Sequence, residues 1–425
     1  MNRNKYNVVV CGGGTAGVAS AYIAAKKGLN TLLVEKSDVL GGSITQGLVI
    51  PCMKVNTENI NTEFIEDLKI FADKYNARIT YNDSNEYWFN PELLKIVLDD
   101  MLKTVKCDVL FSTEPISVNF DVLFNLQLEH KSLSLYIETE YIVDATANGK
   151  IFKLLNYNFQ EKNEKKQATS LRFLLSNVDL SQLSDWLLNI DSDRDVTTSA
   201  RIDNNVHLST AYTWDNSKNW ALAPIFNAAI DNDDLEYDDT AYFQIFTVAT
   251  MPNTLAFNCP RIILDDNEDI LDPFVYSKAL KQGRERIYRL YNFVKKYFKG
   301  CENSFISHIS DTLGIRETYR VKGKYTYTKE DIISARKFDN IAFTCNYPID
   351  IHSNNKDEDI LEFTNHTYYV PIETLISADN DNLYGVGRII SADFEAQAAI
   401  RTQISCFSMG EAAAKDIYKK TKESF

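Results

Sequence analysis

Residues 6–35 read YNVVVCGGGTAGVASAYIAAKKGLNTLLVE. The first six are apolar, rich in β-branched side chains and bounded by glycine, the pattern of a short buried strand. Residues 15–27 are small and apolar, which predicts a helix packed closely on a sheet. Gly28 ends that helix, and residues 31–35 read as the second strand of a βαβ unit. Between strand and helix, Gly12, Gly14 and Gly17 carry the spacing G-x-G-x-x-G. The first glycine allows a tight turn, the second lets the backbone approach a pyrophosphate, and the third lets the helix settle on the strand. Thr15 and Ala16 open the helix, whose N–H groups and positive dipole end suit phosphate oxygens. Glu35 closes the second strand, where a carboxylate accepts hydrogen bonds from a ribose diol.

Which dinucleotide is expected follows from the next residues. A nicotinamide-binding chain usually continues with further βα units. Here Glu35 is followed by Lys36-Ser37-Asp38-Val39-Leu40-Gly41-Gly42-Ser43, a second glycine loop that suits FAD stretched across the sheet edge. An acid at position 35 disfavours a 2′-phosphate, and no second G-x-G-x-x-G follows. The expected cofactor is FAD, held noncovalently, with Lys36, Gly41, Gly42 and Ser43 among its neighbours.

A third strand is expected at residues 141–146 (YIVDAT), bringing Asp144, Ala145 and Thr146 to the cofactor. Between lie predicted helices at 62–75 and 91–105 and a hairpin-like stretch at 109–136. The middle of the chain then changes character. It holds acidic runs at 231–239 and 265–269, an aromatic strand-like segment at 241–249 and a long amphipathic helix at 273–298. Glycine-and-apolar patterning returns with a strand at 382–386 and a small-residue helix at 396–415. The expected fold class is α/β: a Rossmann-like FAD-binding domain with a parallel sheet and helices, built from residues 1–155 and 367–425. An α+β cap or substrate domain, residues 156–366, is inserted in it.

Composition narrows the function. The 45 Lys and Arg against 59 Asp and Glu leave a formal net charge of -14, a field that repels nucleic acid and anionic lipid. Seven scattered cysteines form no C-x-x-C, so no metal site is expected, and reduced thiols in a cytoplasmic protein are. No apolar run is long enough to span a bilayer, so no membrane partner is expected. The partner expected is a small-molecule substrate, with the electron donor or acceptor left open.

Farther along, Leu313-Gly314-Ile315-Arg316-Glu317-Thr318-Tyr319-Arg320 precedes Gly323, with Thr328-Lys329-Glu330-Asp331 downstream. Tyr347-Pro348-Ile349-Asp350-Ile351-His352, Gly385-Val386-Gly387-Arg388 and Gly410-Glu411-Ala412-Ala413 follow in order, with Arg401 between the last two. In these blocks the chain resembles the FAD-dependent oxidoreductase family with a dinucleotide fold of the glutathione-reductase type. The resemblance implies that Gly387 and Arg388 end a strand beside the flavin. It also implies that a helix beginning near Ala396, carrying Ala398 and Ile400, points its N-terminus at the flavin pyrimidine edge. One departure concerns the third strand: the family pattern D-A-T-G-D is replaced by Asp144-Ala145-Thr146-Ala147-Asn148, so an amide stands where the second acid is expected.

Five histidines are present. His352 is the first candidate for general acid or base, on the expectation of a pKa near working pH. His366, Tyr368 and Tyr369 come second. Arg316 reads either as a fork for an anionic group or as half of a buried pair with Glu317, and Cys52 reads as a packed thiol. Together these predict an enzyme that passes a hydride between a small molecule and the flavin N5. The alternatives are a flavin-dependent group-transfer or RNA-modifying enzyme, and a binding protein that keeps the fold without catalysis.

Overall fold

The computed structural model describes residues 4–423 apart from 54, 56–57, 82, 162–165, 211–219, 266 and 355–358. Position 266 of the acidic run 265–269 therefore lies outside the described residues.

The first strand, Lys5–Cys11, lies at the centre of a seven-stranded sheet. It pairs in parallel with Thr31–Val34 on one side and with Leu133–Asp144 on the other. Asp108–Leu110 extends the sheet beyond the second strand, and Leu383–Gly385 joins Leu133–Asp144, again in parallel. Register aligns the carboxyl ends: Cys11 stands opposite Val34 and Asp144, and Gly385 opposite Asp144. Ligands of open α/β sheets bind outside that edge.

Three local expectations are revised. The hairpin-like stretch resolves into the parallel strand Asp108–Leu110 and an antiparallel meander, Thr113–Phe120 and Phe124–His130 leading into Leu133–Asp144. The third strand is thus longer than expected at its start and stops at Asp144. The closing helix is two helices, Phe394–Ile400 and Gln403–Glu423. The break falls at Arg401 and Thr402, where the Thr402 carbonyl accepts the Cys406 N–H at 2.9 Å and opens the second helix.

The helix Gln403–Glu423 packs along Thr15–Lys26 through small residues. A Cβ at Gly410 would stand 2.0 Å from the Ala16 carbonyl oxygen, so only glycine permits this approach. The two ends of the chain are thereby joined across the sheet's carboxyl edge.

The middle builds its own sheet of six antiparallel strands, in the order Thr197–Ile202, Asn205–Thr210, Ile245–Thr247, Leu255–Phe257, Phe173–Ser176 and Phe305–Ile309. Of the expected strand at 241–249, only three residues pair. The helix Pro273–Tyr297 starts where Asp272 accepts the Phe274 and Val275 N–H groups and Pro273 needs no donor partner. Its Ile287, Leu290 and Phe293 share a core with Phe173, Phe243 and Phe257 of the middle segment. Strand Ile341–Cys345 pairs with Tyr368–Pro371, a pairing that crosses the expected boundary between residues 366 and 367. Phe343, Cys345 and Tyr368 join the core of the parallel-sheet unit. Among the described residues no helix is long and apolar enough to cross a membrane.

Candidate active site

The glycine turn is built as its spacing requires. Gly12 has φ +101, and a Cβ there would meet the Ala145 oxygen at 2.4 Å. A Cβ on Gly17 would lie 1.8 Å from the Gly12 oxygen. At Gly14, by contrast, nothing lies within 4 Å of the Cβ position. The loop is therefore crowded on its protein side and open at the middle glycine, the shape a diphosphate needs.

Two further segments close on this turn. The Gly41 N–H donates to the Gly13 oxygen at 2.8 Å, seating the second glycine loop against the first. Thr15 donates its hydroxyl to Gln403 Oε1 at 2.5 Å, and Gln403 Nε2 donates to Ser43 Oγ at 2.9 Å. Glu35 is buried; its Oε2 accepts Gly13 N–H at 2.5 Å and its Oε1 accepts the Ser37 N–H and hydroxyl at 2.8 and 2.7 Å. A carboxylate accepts about four hydrogen bonds, so one position remains for a diol. Lys36 is exposed, in a shallow surface cavity with Ser112, Glu114 and Lys131.

The third strand's end is held by Asp144. It accepts the Thr146 hydroxyl at 2.7 Å and the Ile151 N–H at 2.8 Å, and its burial raises its pKa. Ala145 donates its N–H to the Cys11 oxygen at 2.8 Å. Asn148, the amide in place of an acid, accepts from Arg388 Nη2 at 3.0 Å, and Ala147 O accepts from Arg388 Nε at 3.0 Å. Arg388 also donates to the Ile315 oxygen, and burial lowers its pKa to about 10. Gly387 owes its identity to φ +76, since a Cβ there would meet Ala16 only at an ordinary 3.4 Å.

Ala398 and Ile400 are fully buried. The N-terminus of their helix is capped by Asp393, which accepts the Ala396 N–H at 2.7 Å and the Lys329 N–H at 2.8 Å. The helix start that touches the glycine loops is that of Gln403–Glu423, whose Gln403 binds Thr15 and Ser43. Because the chain breaks at Arg401, this start lies one short helix beyond the expected one.

That break leads to a second cluster. Arg401 Nη2 donates to Gln167 Oε1 at 3.2 Å and to the Asp350 carbonyl at 3.1 Å. Arg316 donates to the Ala168 oxygen at 2.6 Å, and its pKa is lowered to about 9 by burial and by the fields of Arg401, Arg172 and Arg261. Arg172 is lowered to about 10 by burial. Tyr242 lies within the field of Asp350 and of Arg316, Arg172 and Arg261, and burial raises its pKa to about 12. The backbone is anchored to the closing segment, since Gln397 Nε2 donates to the Arg316 and Arg388 carbonyls, each at 3.2 Å. The cluster thus sits where the middle segment meets the chain's return to the glycine loops.

His352 lies in this cluster, but not with the expected pKa. Its Nδ1 faces Arg261 Nη2 at 3.1 Å and its Nε2 faces Asp350 at 3.3 Å. Arginine only donates, so Nδ1 accepts and the proton sits on Nε2, directed at the carboxylate. Burial and the field of Arg316 lower its pKa to about 4, so it is neutral at working pH. Burial works against the Asp350 carboxylate, but His352, Arg401 and Arg316 overcome it and hold its pKa well below the usual range.

The other candidates lie elsewhere. His366 Nε2 meets the Ile332 oxygen at 2.8 Å, and Tyr369 donates to Glu58 at 2.6 Å. Tyr368 donates to the Tyr347 oxygen at 2.8 Å. Glu317 pairs with Arg320. Cys52 is buried, and desolvation raises its pKa far above a reactive thiol's. Arg172, Arg261 and Tyr242 were not among the expected site residues; each stands alone in sequence between apolar neighbours.

A parallel sheet with a crowded glycine turn at its carboxyl edge defines a dinucleotide-binding protein. The chain belongs to the FAD dependent oxidoreductase family, which it matches from residue 7 to residue 417. FAD is the family's cofactor, and the open cradle at Gly14 fits its diphosphate. Thiamine thiazole synthase of Metallosphaera sedula is 28% identical over 155 residues, 35% of this chain and 56% of the relative. The matched segment thus spans about half the length of that curated relative. Among solved structures, a geranylgeranyl bacteriochlorophyll reductase-like protein of Thermoplasma acidophilum superimposes with a TM-score of 0.48 at 13% identity, covering 99% of this chain and 80% of the other. The p-nitrophenol 4-monooxygenase PnpA of Pseudomonas putida gives 0.46 at 9% identity, covering 99% and 82%.

Proposed function

We propose that this chain is a cytoplasmic oxidoreductase that binds FAD noncovalently and exchanges a hydride between a small-molecule substrate and the flavin. FAD supplies the two-electron chemistry when bound. Gly12, Gly14, Gly17 and the Thr15 turn would hold its diphosphate, and Glu35 its ribose. Gly41, Gly42 and Ser43 would follow its length, with Asp144 to Thr146 and Gly387 to Arg388 shaping the far end. Residues 1–155 and 367–425 form the cofactor unit in this reading, and residues 156–366 carry the substrate side.

Within that division Arg316 presents its guanidinium to the substrate. His352 is a positioning residue: it donates to Asp350 and accepts from Arg261, which fixes both around the arginine. The observation that carries the reading is the convergence of three distant segments, through Thr15, Gln403 and Ser43, beside a cluster of polar cap residues. Purified protein loaded with FAD should bleach on anaerobic mixing with a reduced substrate and recover with an oxidised one. Loaded protein whose flavin no donor reduces would end the oxidoreductase reading.

A further inference from the structure

Arg172, Arg261, Arg316 and Arg401 come from four separate segments, yet each of the other three acts on Arg316. Like charges gather in a protein interior only against opposing charge, because desolvating each one costs free energy. Two carboxylates oppose them. Asp359 binds Arg261 in a fork at 2.7 and 3.1 Å, and Asp350 faces His352. The histidine between them is neutral, so two of the four guanidinium charges stand without a counter-charge among the described residues.

Three unsatisfied donors belong to this cluster, with one unsatisfied acceptor, Gln397 Oε1, beside Arg316. Gln167 Nε2, Arg261 Nε and Arg401 Nε are buried without a hydrogen-bond partner, and all three are donors. The Arg172 guanidinium has no hydrogen-bond or ion-pair partner among the described residues, although Cys259 and Tyr242 lie within its field. Space has been left for it: a Cβ on Gly314 would come within 3.3 Å of Arg172 Nη1 and 2.7 Å of Ser170 Oγ. Orphaned donors around excess positive charge call for an acceptor-rich anion, and guanidinium forks match the plane of a carboxylate.

We infer that the substrate is a small dicarboxylate, held between Arg172, Arg316 and Arg401 at the junction of the cap sheet and the closing segment. This rests on the oxidoreductase reading and names its substrate class. Two carboxylates neutralise the two unopposed charges, whereas a monoanion leaves one and a neutral diol leaves both. Arg261 is already taken by Asp359 and shapes the wall through His352.

The test is calorimetric titration of the FAD-loaded protein with succinate, acetate, inorganic phosphate and butane-1,4-diol as probes. Succinate should bind about tenfold or more tighter than acetate, and the diol should give no heat, since each lost charge-assisted contact is worth roughly one decade. R172Q should weaken succinate binding by about the same factor with flavin content unchanged, and R172K should restore part of it, because a point charge replaces the fork. R201Q, at an exposed position, controls for net charge. Succinate binding no tighter than acetate, or equal in R172Q and the parent, overturns the inference. Phosphate binding without carboxylate binding overturns it as well. If succinate fails to bind while the flavin is still reducible, the substrate class falls and the oxidoreductase reading stands. If succinate binds but no donor reduces the flavin, the dianion site stands and the oxidoreductase reading falls.

Discussion

Gly410 of the closing helix meets Ala16 of the opening helix so closely that a Cβ at 410 would stand 2.0 Å from the Ala16 oxygen and 2.9 Å from the Ser20 nitrogen. Both neighbours are backbone, so neither yields by a rotamer change. G410A should therefore push the two helices apart, at the cost of overpacking, about 1–3 kcal/mol. Because Gln403 rides on the same helix, flavin retention should fall together with the melting temperature. An unchanged melting curve would mean that the helices are not packed at this distance.

Gly14 separates cofactor binding from folding. Nothing lies within 4 Å of its Cβ position, and its φ of -71 suits any residue. G14A should leave the stability of the flavin-free protein within about 0.5 kcal/mol of the parent, as other unencumbered substitutions do. FAD affinity should nevertheless drop by an order of magnitude or more, since the methyl group fills the space left for the diphosphate. G17A should lose both, because its Cβ would strike the Gly12 oxygen at 1.8 Å. Equal FAD binding by G14A and the parent would place the diphosphate elsewhere.

The turn was legible because one local motif contains its whole logic: strand, three glycines, helix, strand and acid within thirty residues. The arginine cluster was not, because its members lie far apart and each is unremarked locally; Arg172 reads as a strand edge in SLRFLL. The break at Arg401 was hidden for a different reason. The run AAIRTQISC holds no glycine or proline, and only Thr402 signals a new helix start. The pKa of His352 is not legible in sequence, because desolvation and a neighbouring arginine are properties of the folded chain alone.

His352 and Asp350 make stability fall toward acid pH in two stages. The His352 pKa drops from about 6.5 to about 4 on folding, so the unfolded chain binds a proton in that window and the folded protein does not. Stability is complete above the upper value and declines as pH falls through the window. Asp350 is depressed, so its contribution is present above the usual carboxylate pKa and is lost only below it. H352N should flatten the upper stage and shrink the lower one, because His352 is among the groups that depress Asp350. Denaturant midpoints at about pH 7, 5.5 and 4.5 read this out; parallel slopes in the two proteins would show that His352 is solvated and titrates normally.

Asn148 offers a gain rather than a loss. Its Oδ1 accepts from Arg388 Nη2 at 3.0 Å, and the arginine is otherwise bound only to carbonyls, with burial lowering its pKa to about 10. The guanidinium already charge-assists that bond, and a carboxylate of the same shape at 148 would add a counter-charge to it. N148D should raise the melting temperature of the flavin-free protein and leave the FAD spectrum unperturbed. N148A should lower it, at a stability cost of roughly 1–3 kcal/mol, because a buried guanidinium donor is left without a partner. If N148D is no more stable than the parent, the cost of burying the new carboxylate exceeds its attraction to Arg388, and the amide is the better partner for a guanidinium already satisfied by carbonyls.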